Sequence, residues 1–332
     1  MYKNKIFKTE SAFIQRYYVL YTKDLQMIVF HSHSFTMWIE TTNFTSELNL
    51  AKMSQEKKTI LVTWDFSNPA LNALKHAAKI GRIVENNVLL FHVVMESSEA
   101  AQAEEKLKEA CKKHTEELGH EIGYVLREGS IFDEISDYAS EEANNVNFVI
   151  LGTHGMKGSQ KLFGSKALRV INGSTVPFLV VQKEPSDKER FTDIVFPIDF
   201  KSENKEKLQW AIFLGKYLNS KVHLFKAPAK DKSLQKKINV NLNFAIRFLI
   251  QNNIEYEIHT ASDGKNFMKE TLRFTKSIGA DLILITTTKH MTLMDLIFAA
   301  KEQYLIANDE GIPVMCVNPR ASFAKVGQFM YG

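Results

Sequence analysis

Cysteine is nearly absent from this chain. Its two copies, Cys111 and Cys316, lie far apart, and no CxxC occurs. That excludes a disulfide framework and a cysteine zinc site, and it points to a reducing, cytoplasmic setting. Long apolar runs are also missing, so no membrane span is expected. Neither sign of charge dominates: 42 Lys and Arg face 38 Asp and Glu, for a net charge of +4. No basic block is dense enough to suggest a nucleic-acid footprint or a membrane-surface patch. HExxH, GxSxG and paired Cys/His arrangements are all missing, which removes the commonest signatures of metalloprotease and nucleophilic catalysis.

Glycine and proline are absent from residues 1–52 altogether. This stretch is rich in Phe and Tyr and shows no clean helical or strand period. It also lacks the apolar core and small-residue cleavage site of a signal peptide. Met53 then opens MSQEKKTILVTWDFS, a polar lead into an apolar run. The expectation is that residues 1–52 are a non-native or disordered leader and that translation begins at Met53.

What the chain does have is a rhythm. At 332 residues and 45% hydrophobic it can build two domains with real cores. TILVTWD (59–65) reads as a buried strand ending in an acid. Residues 70–84 have helical spacing after Ser67, a candidate N-cap, with Pro69 in the first turn. NVLLFHVV (87–94) is a second strand, and a charged amphipathic helix covers about 98–119. Strand 122–126, helix 131–143, strand 147–153, a glycine-rich loop, helix 165–172 and strand 176–182 follow. KEPSDKER (183–190) breaks the pattern and reads as a linker.

The order then restarts. DIVFPIDF (193–200) matches TILVTWDF, and GIPVMCVNPR (311–320) matches TVPFLVVQK. The expected fold class is therefore α/β. It comprises two tandem doubly wound domains, each a five-stranded parallel sheet with helices on both faces. Their expected spans are 53–183 and 191–320, joined by 184–190 and trailed by a tail at 321–332. Ligands of such sheets lie outside the carboxyl ends of the strands, where strand order reverses. In the first repeat Asp65, Val93 and the segment from Gly152 to Ser165 converge there.

That last segment, LGTHGMKGSQKLFGS (151–165), holds four glycines: Gly152, Gly155, Gly158 and Gly164. Phosphate binding needs backbone N–H groups aimed at one point without intervening side chains, and a helix starting next door adds a favourable dipole. Ser165 can cap that helix or touch a phosphate, and Lys157 and Lys161 bring positive charge. The loop has no GK[ST] ending and follows the fourth strand rather than the first, so it is neither a P-loop nor the usual dinucleotide fingerprint. As a bare pattern it also reads as a set of structural turns.

The combination resembles the universal stress protein (UspA-like) family. GTHG, a glycine-containing turn, GS and then a helix leading to VPFLVV look like that family's nucleotide loop and fifth strand. ILVTWDFSNPALNALKHA looks like its first strand and helix, LLFHVV like its second strand, and EGSIFDEISDYASEEANNVNFVILGTHG like its third helix and fourth strand. The resemblance covers about 58–183 strongly and 190–320 as a worn second copy, and the layout is similar to the family's tandem members. It implies a regulatory module that binds ATP or another adenine nucleotide, with Mg2+. By motif, Asp65 would meet the adenosine end, Val93 would offer backbone groups near the base, and Gly152, Gly155, Gly164 and Ser165 would surround the phosphates. His154, Lys157 and Gly158 are secondary candidates. The family motif is G-x2-G-x9-G-[S/T]; here eight residues, MKGSQKLF, separate Gly155 from Gly164.

The second copy has TTTKHMTLMDLIFAAKEQYLIANDEG in the loop position, without a glycine before Gly311. It is expected to be a structural partner whose fifth strand pairs with that of the first copy. This gives an internal pseudo-dimer, with a further homodimer left open. His92 is expected to be a hydrogen-bonded core residue, and the mixed charges of residues 103–119 a solvated helix face. His31 and His33 lack partners at ligand spacing, and no metal site is expected. No general base or nucleophile is evident beside the loop, so turnover, if any, is expected to be slow. Two competing functions remain: a nucleotide-independent scaffold of the same fold, and an adenylating or phosphoryl-transfer enzyme.

Overall fold

The computed structural model describes residues 5–7, 16–21, 26–32, 35–40, 57–154, 170–171, 174–186, 191–200, 204–262, 266–287 and 304–318. The chain divides into two compact units between Glu56 and Lys57. The first holds an antiparallel meander, β1 (Lys5–Phe7), β2 (Arg16–Tyr21), β3 (Gln26–Ser32) and β4 (Phe35–Glu40), in that spatial order. Its register runs Tyr18↔Val29 and Val29↔Trp38. Strand preference here rests on aromatic and β-branched content, which needs no alternation to be effective.

The second unit is built on ten strands: β5 (Thr59–Thr63), β6 (Asn87–Val94), β7 (Ile122–Glu128), β8 (Val146–Gly152), β9 (Phe178–Val181), β10 (Asp193–Ile198), β11 (Lys221–Lys226), β12 (Tyr256–Thr260), β13 (Leu282–Thr286) and β14 (Val314–Val317). Their order is β12-β11-β10-β13-β14-β9-β8-β5-β6-β7. Each half thus repeats one topology. The first strand of the half lies in the middle, strands two and three go to one side, and strands four and five to the other. Pairing is parallel within each half. The halves join where β14 meets β9 antiparallel, at Val314↔Val180, Met315↔Leu179 and Cys316↔Phe178. All six residues are buried. The fifth-strand pairing read from the sequence is present, and it fuses the two sheets into one.

Among the described residues the longer helices that cover the sheet are α1 (Asn68–Val84), α2 (Ser97–Leu118), α3 (Ile131–Ser140), α4 (Asn204–Leu218), α5 (Lys232–Gln251) and α6 (Phe267–Ile278). Ser67 caps α1 as expected, its Oγ accepting the Ala70 N–H at 3.4 Å, with Pro69 in the first turn. Glu85 closes the helix in the left-handed conformation. The burial of Ala103, Leu107, Cys111 and His114 marks a single narrow stripe on α2. Elsewhere on that helix the charges are solvated, with Glu104–Lys108 an i,i+4 pair at 2.8 Å. Both cysteines are buried thiols outside any disulfide, and burial pushes the Cys111 thiol up to about 11. Among the described residues no helix is long and apolar enough to cross a membrane.

The charged stretch after β9 is held against α1. His76 Nε2 lies 3.1 Å from the Lys183 carbonyl, Lys79 Nζ donates to the Ser186 carbonyl at 2.8 Å, and Lys75 pairs with Glu184. Residues 187–190 of the expected linker and the tail at 321–332 lie outside the described residues.

Candidate functional site

Strand order reverses between β5 and β8, because β6 and β7 lie on one side of β5 and β8 and β9 on the other. This is where a doubly wound sheet opens a crevice at its carboxyl edge. Three of the expected site segments end there. Asp65 follows β5, Val93 is the penultimate residue of β6, and Gly152 is the last residue of β8.

Asp65 is exposed, and its Oδ1 accepts the Ser67 N–H at 3.0 Å. This is an Asx turn, in which a short carboxylate replaces a backbone acceptor. Between them Phe66 sits at φ 62° and is 42% exposed. The turn aims the chain into the first turn of α1, whose start, with the Ala70 N–H capped by Ser67, lies beside Asp65. Trp64 points into the core at 5% exposure. It packs edge-on against His114 at 5.7 Å.

Val93 is half-buried. The last residues paired between β5 and β6 are Thr63 and Phe91, and the Trp64 N–H donates to the Phe91 carbonyl at 2.9 Å. Strand parity turns the backbone groups of Val93 to the same side as those of Phe91. β6 therefore presents Val93 toward a side where β5 has already ended. His92 is half-buried, and its Nδ1 lies 2.7 Å from the Trp64 carbonyl. It acts as a positioned core histidine that ties the two strand ends together.

Gly152 pairs with Val181. A Cβ there would fall 1.9 Å from the Pro69 carbonyl oxygen. The first turn of α1 thus lies directly against the end of β8, and only glycine permits that approach. His154 is exposed two residues on. Gly155, Lys157, Gly158, Lys161, Gly164 and Ser165 lie outside the described residues; the chain is described again at 170–171, which are helical and buried. A cleft of about 340 Å3 adjoins the β5–α1 turn, lined by Trp64, Phe66, Ser67, Lys106, Lys113 and His114 among others. Ser67 and Pro69 have parts in the site that sequence reasoning assigned only to capping. The D-x-S spacing of an Asx turn was the available signal.

The second half differs at the equivalent place. Thr286 pairs with Val317 as Gly152 pairs with Val181, so a Cβ is accommodated there. Thr287 is buried and hydrogen-bonded to Asn318, whose amide donates to the Ser174 carbonyl of the first half at 2.7 Å. These groups hold the halves together.

Comparison with known proteins agrees with this architecture. The universal stress protein family model matches residues 57–182. Two universal stress proteins of Methanocaldococcus jannaschii are similar. One is 34% identical over 143 residues, covering 38% of this chain and 82% of that protein. The other is 29% identical over 164 residues, covering 40% of this chain and all of that protein. The crystal structure of a universal stress protein from Archaeoglobus fulgidus matches with a TM-score of 0.65 at 18% identity, covering 79% of this chain and 98% of its own. A match of that length spans both repeats. The chain belongs to the universal stress protein family, in its tandem form.

Proposed function

We propose that the first repeat is an adenine-nucleotide-binding module and that the second is its structural partner. The observation that carries this reading is the convergence of Asp65, the overhanging Val93 and the Gly152–His154 segment at one switch point, beside the start of α1. In this reading Asp65 uses its remaining acceptor capacity on the ribose hydroxyls. The backbone of Val93 meets the base edge. Gly152, Gly155, Gly164 and Ser165 surround the phosphates, with His154, Lys157 and Gly158 close by. The ligand is ATP or a related adenine nucleotide. An accompanying Mg2+ would be held by phosphate oxygens and water, as this ion commonly is. The three-ligand cluster found among the described residues lies in the other half of the sheet.

The protein acts in this reading as a stress-response regulator whose nucleotide state biases a partner interaction. Turnover is slow or nil. His92 and Asp65 are committed to hydrogen bonds within the turn. The scaffold reading draws on one observation: Pro69 alone accounts for the glycine at 152.

The test is the affinity of the full chain and its Asp65→Ala variant for ATP with Mg2+, measured by equilibrium dialysis. Asp65→Ala is expected to weaken binding at least about tenfold, or 1.4 kcal/mol, with an unchanged circular dichroism spectrum. Equal affinity would remove Asp65 from the site, and absence of binding in both would favour the scaffold.

A further inference from the structure

The second half carries a polar cluster that neither its fold nor the nucleotide reading requires. His223 lies on β11, and Glu257 and His259 on the edge strand β12. Residues two apart on a strand share a face, and His223 pairs in register with Glu257. The three side chains therefore meet. His223 Nδ1 is 3.2 Å from His259 Nε2 and 3.6 Å from Glu257 Oε2, and His259 Nε2 is 3.5 Å from that same oxygen.

We propose that His223, Glu257 and His259 form a Zn2+ site. Tetrahedral bonds of about 2.0–2.1 Å put ligand atoms about 3.3 Å apart, and the three separations bracket that value. Two imidazoles and a carboxylate are ordinary zinc donors, and three protein ligands leave one position for water. The outer groups fit as well. Asp193 Oδ1 lies 2.9 Å from His223 Nε2, the nitrogen turned away from the cluster. A carboxylate on the far nitrogen fixes the tautomer and ring orientation of a metal-bound histidine. Thr192 Oγ1 donates to the other Asp193 oxygen at 3.2 Å. Lys221 Nζ donates to Glu257 Oε1 at 2.6 Å, which orients Oε2 inward.

Access is also provided. His223 is buried, whereas the side chains of His259 and Glu257 are 28% and 49% exposed at the sheet edge. Phe274 of α6 packs against the cluster, its ring centroid 4.6 Å from that of His259.

The first half supplies an internal comparison. Strand register aligns Asp193, His223, Glu257 and His259 with Thr59, Leu89, Gly123 and Val125. The same topology is thus built in the first half without any imidazole or carboxylate at these places. The histidine–carboxylate arrangement at the second copy is an addition to the fold, and its buried member, His223, needs partners for both ring nitrogens. A Zn2+ ion would pin the edge strand β12 to β11 and satisfy all three inward atoms at once.

The test uses the untagged full chain stripped with chelator and titrated with Co2+ and Zn2+. The expected result is one equivalent of Co2+ with the intense visible bands of a tetrahedral site, displaced by Zn2+. Zn2+ should also raise the thermal midpoint. His259→Gln and Glu257→Gln should each lose at least tenfold in affinity while matching the unmodified chain's midpoint in chelator. Asp193→Asn, a positioning change, should weaken binding while keeping the tetrahedral spectrum. Two results would overturn the proposal: no tetrahedral Co2+ spectrum in the unmodified chain, or undiminished binding in both ligand variants. The second would place the ion elsewhere and leave a hydrogen-bonded histidine pair.

Discussion

A methyl group at Gly152 would lie 1.9 Å from the Pro69 carbonyl oxygen, closer than any relaxed contact. Gly152→Ala is therefore expected to destabilise the protein by about 1–3 kcal/mol, with or without nucleotide. Urea unfolding should show a lower midpoint at an unchanged slope. An unchanged midpoint would mean that the start of α1 can retreat, as the second half does around Thr286. Asp65 and Gly152 were legible in the sequence because a strand-ending acid and a glycine both mark a chain about to turn. The cluster of His223, Glu257 and His259 was not. E-x-H on a strand places two donors on one face, but the third comes from a neighbouring strand. Only the register reveals it, and Asp193 comes from a third strand still.

At the scale of elements, α1 is anchored by a buried histidine. His76 is 1% exposed, with Nε2 against the Lys183 carbonyl and its ring 6.1 Å from Phe191. Burial, more than the opposing pull of the Lys183 carbonyl, lowers its pKa from 6.5 to about 4. In the unfolded chain this imidazole takes up a proton near pH 6.5, whereas in the folded chain it does so only near 4. Stability is therefore full above the higher value and falls as pH drops through the window between them. The loss reaches about 3 kcal/mol. Urea midpoints measured at pH 7.5, 6 and 4.5 should fall in that order. His76→Gln should flatten this trend, and an equally steep fall in that variant would assign the acid sensitivity to other groups. The strands and helices themselves were readable because both-face burial gives continuous apolar runs and capping residues mark the helix starts. The docking of residues 183–186 on α1 was not readable. Their charged, proline-containing composition suits a free linker equally well, and the contacts are made to residues about a hundred positions away.

For the molecule as a whole, the continuous sheet makes the repeats one mechanical body. Val180, Cys316 and Phe178 lie in the same apolar cluster on one face, and Phe148 of the first half meets Trp210 of the second at 5.9 Å on the other. Lys57 onward should therefore unfold in a single step. Native-state hydrogen exchange should give the central strands of both halves, β5 and β10, the same opening free energy and the same denaturant dependence. Two distinct values would show that β9 and β14 separate before either half melts. The tandem repeat and its strand pairing were visible in the sequence as two copies of one apolar rhythm. The difference between the two copies was only half visible, because the absence of glycines before Gly311 in the second copy can be read directly and its polar cluster cannot.

The central claim is that the switch point of the first half holds an adenine nucleotide. The most direct measurement is to purify the full chain without added nucleotide, denature it, and identify any released small molecule by chromatography and mass spectrometry. The account predicts an adenine nucleotide approaching one per chain, absent from the Asp65→Ala variant. An empty protein that also fails to take up ATP with Mg2+ would contradict it.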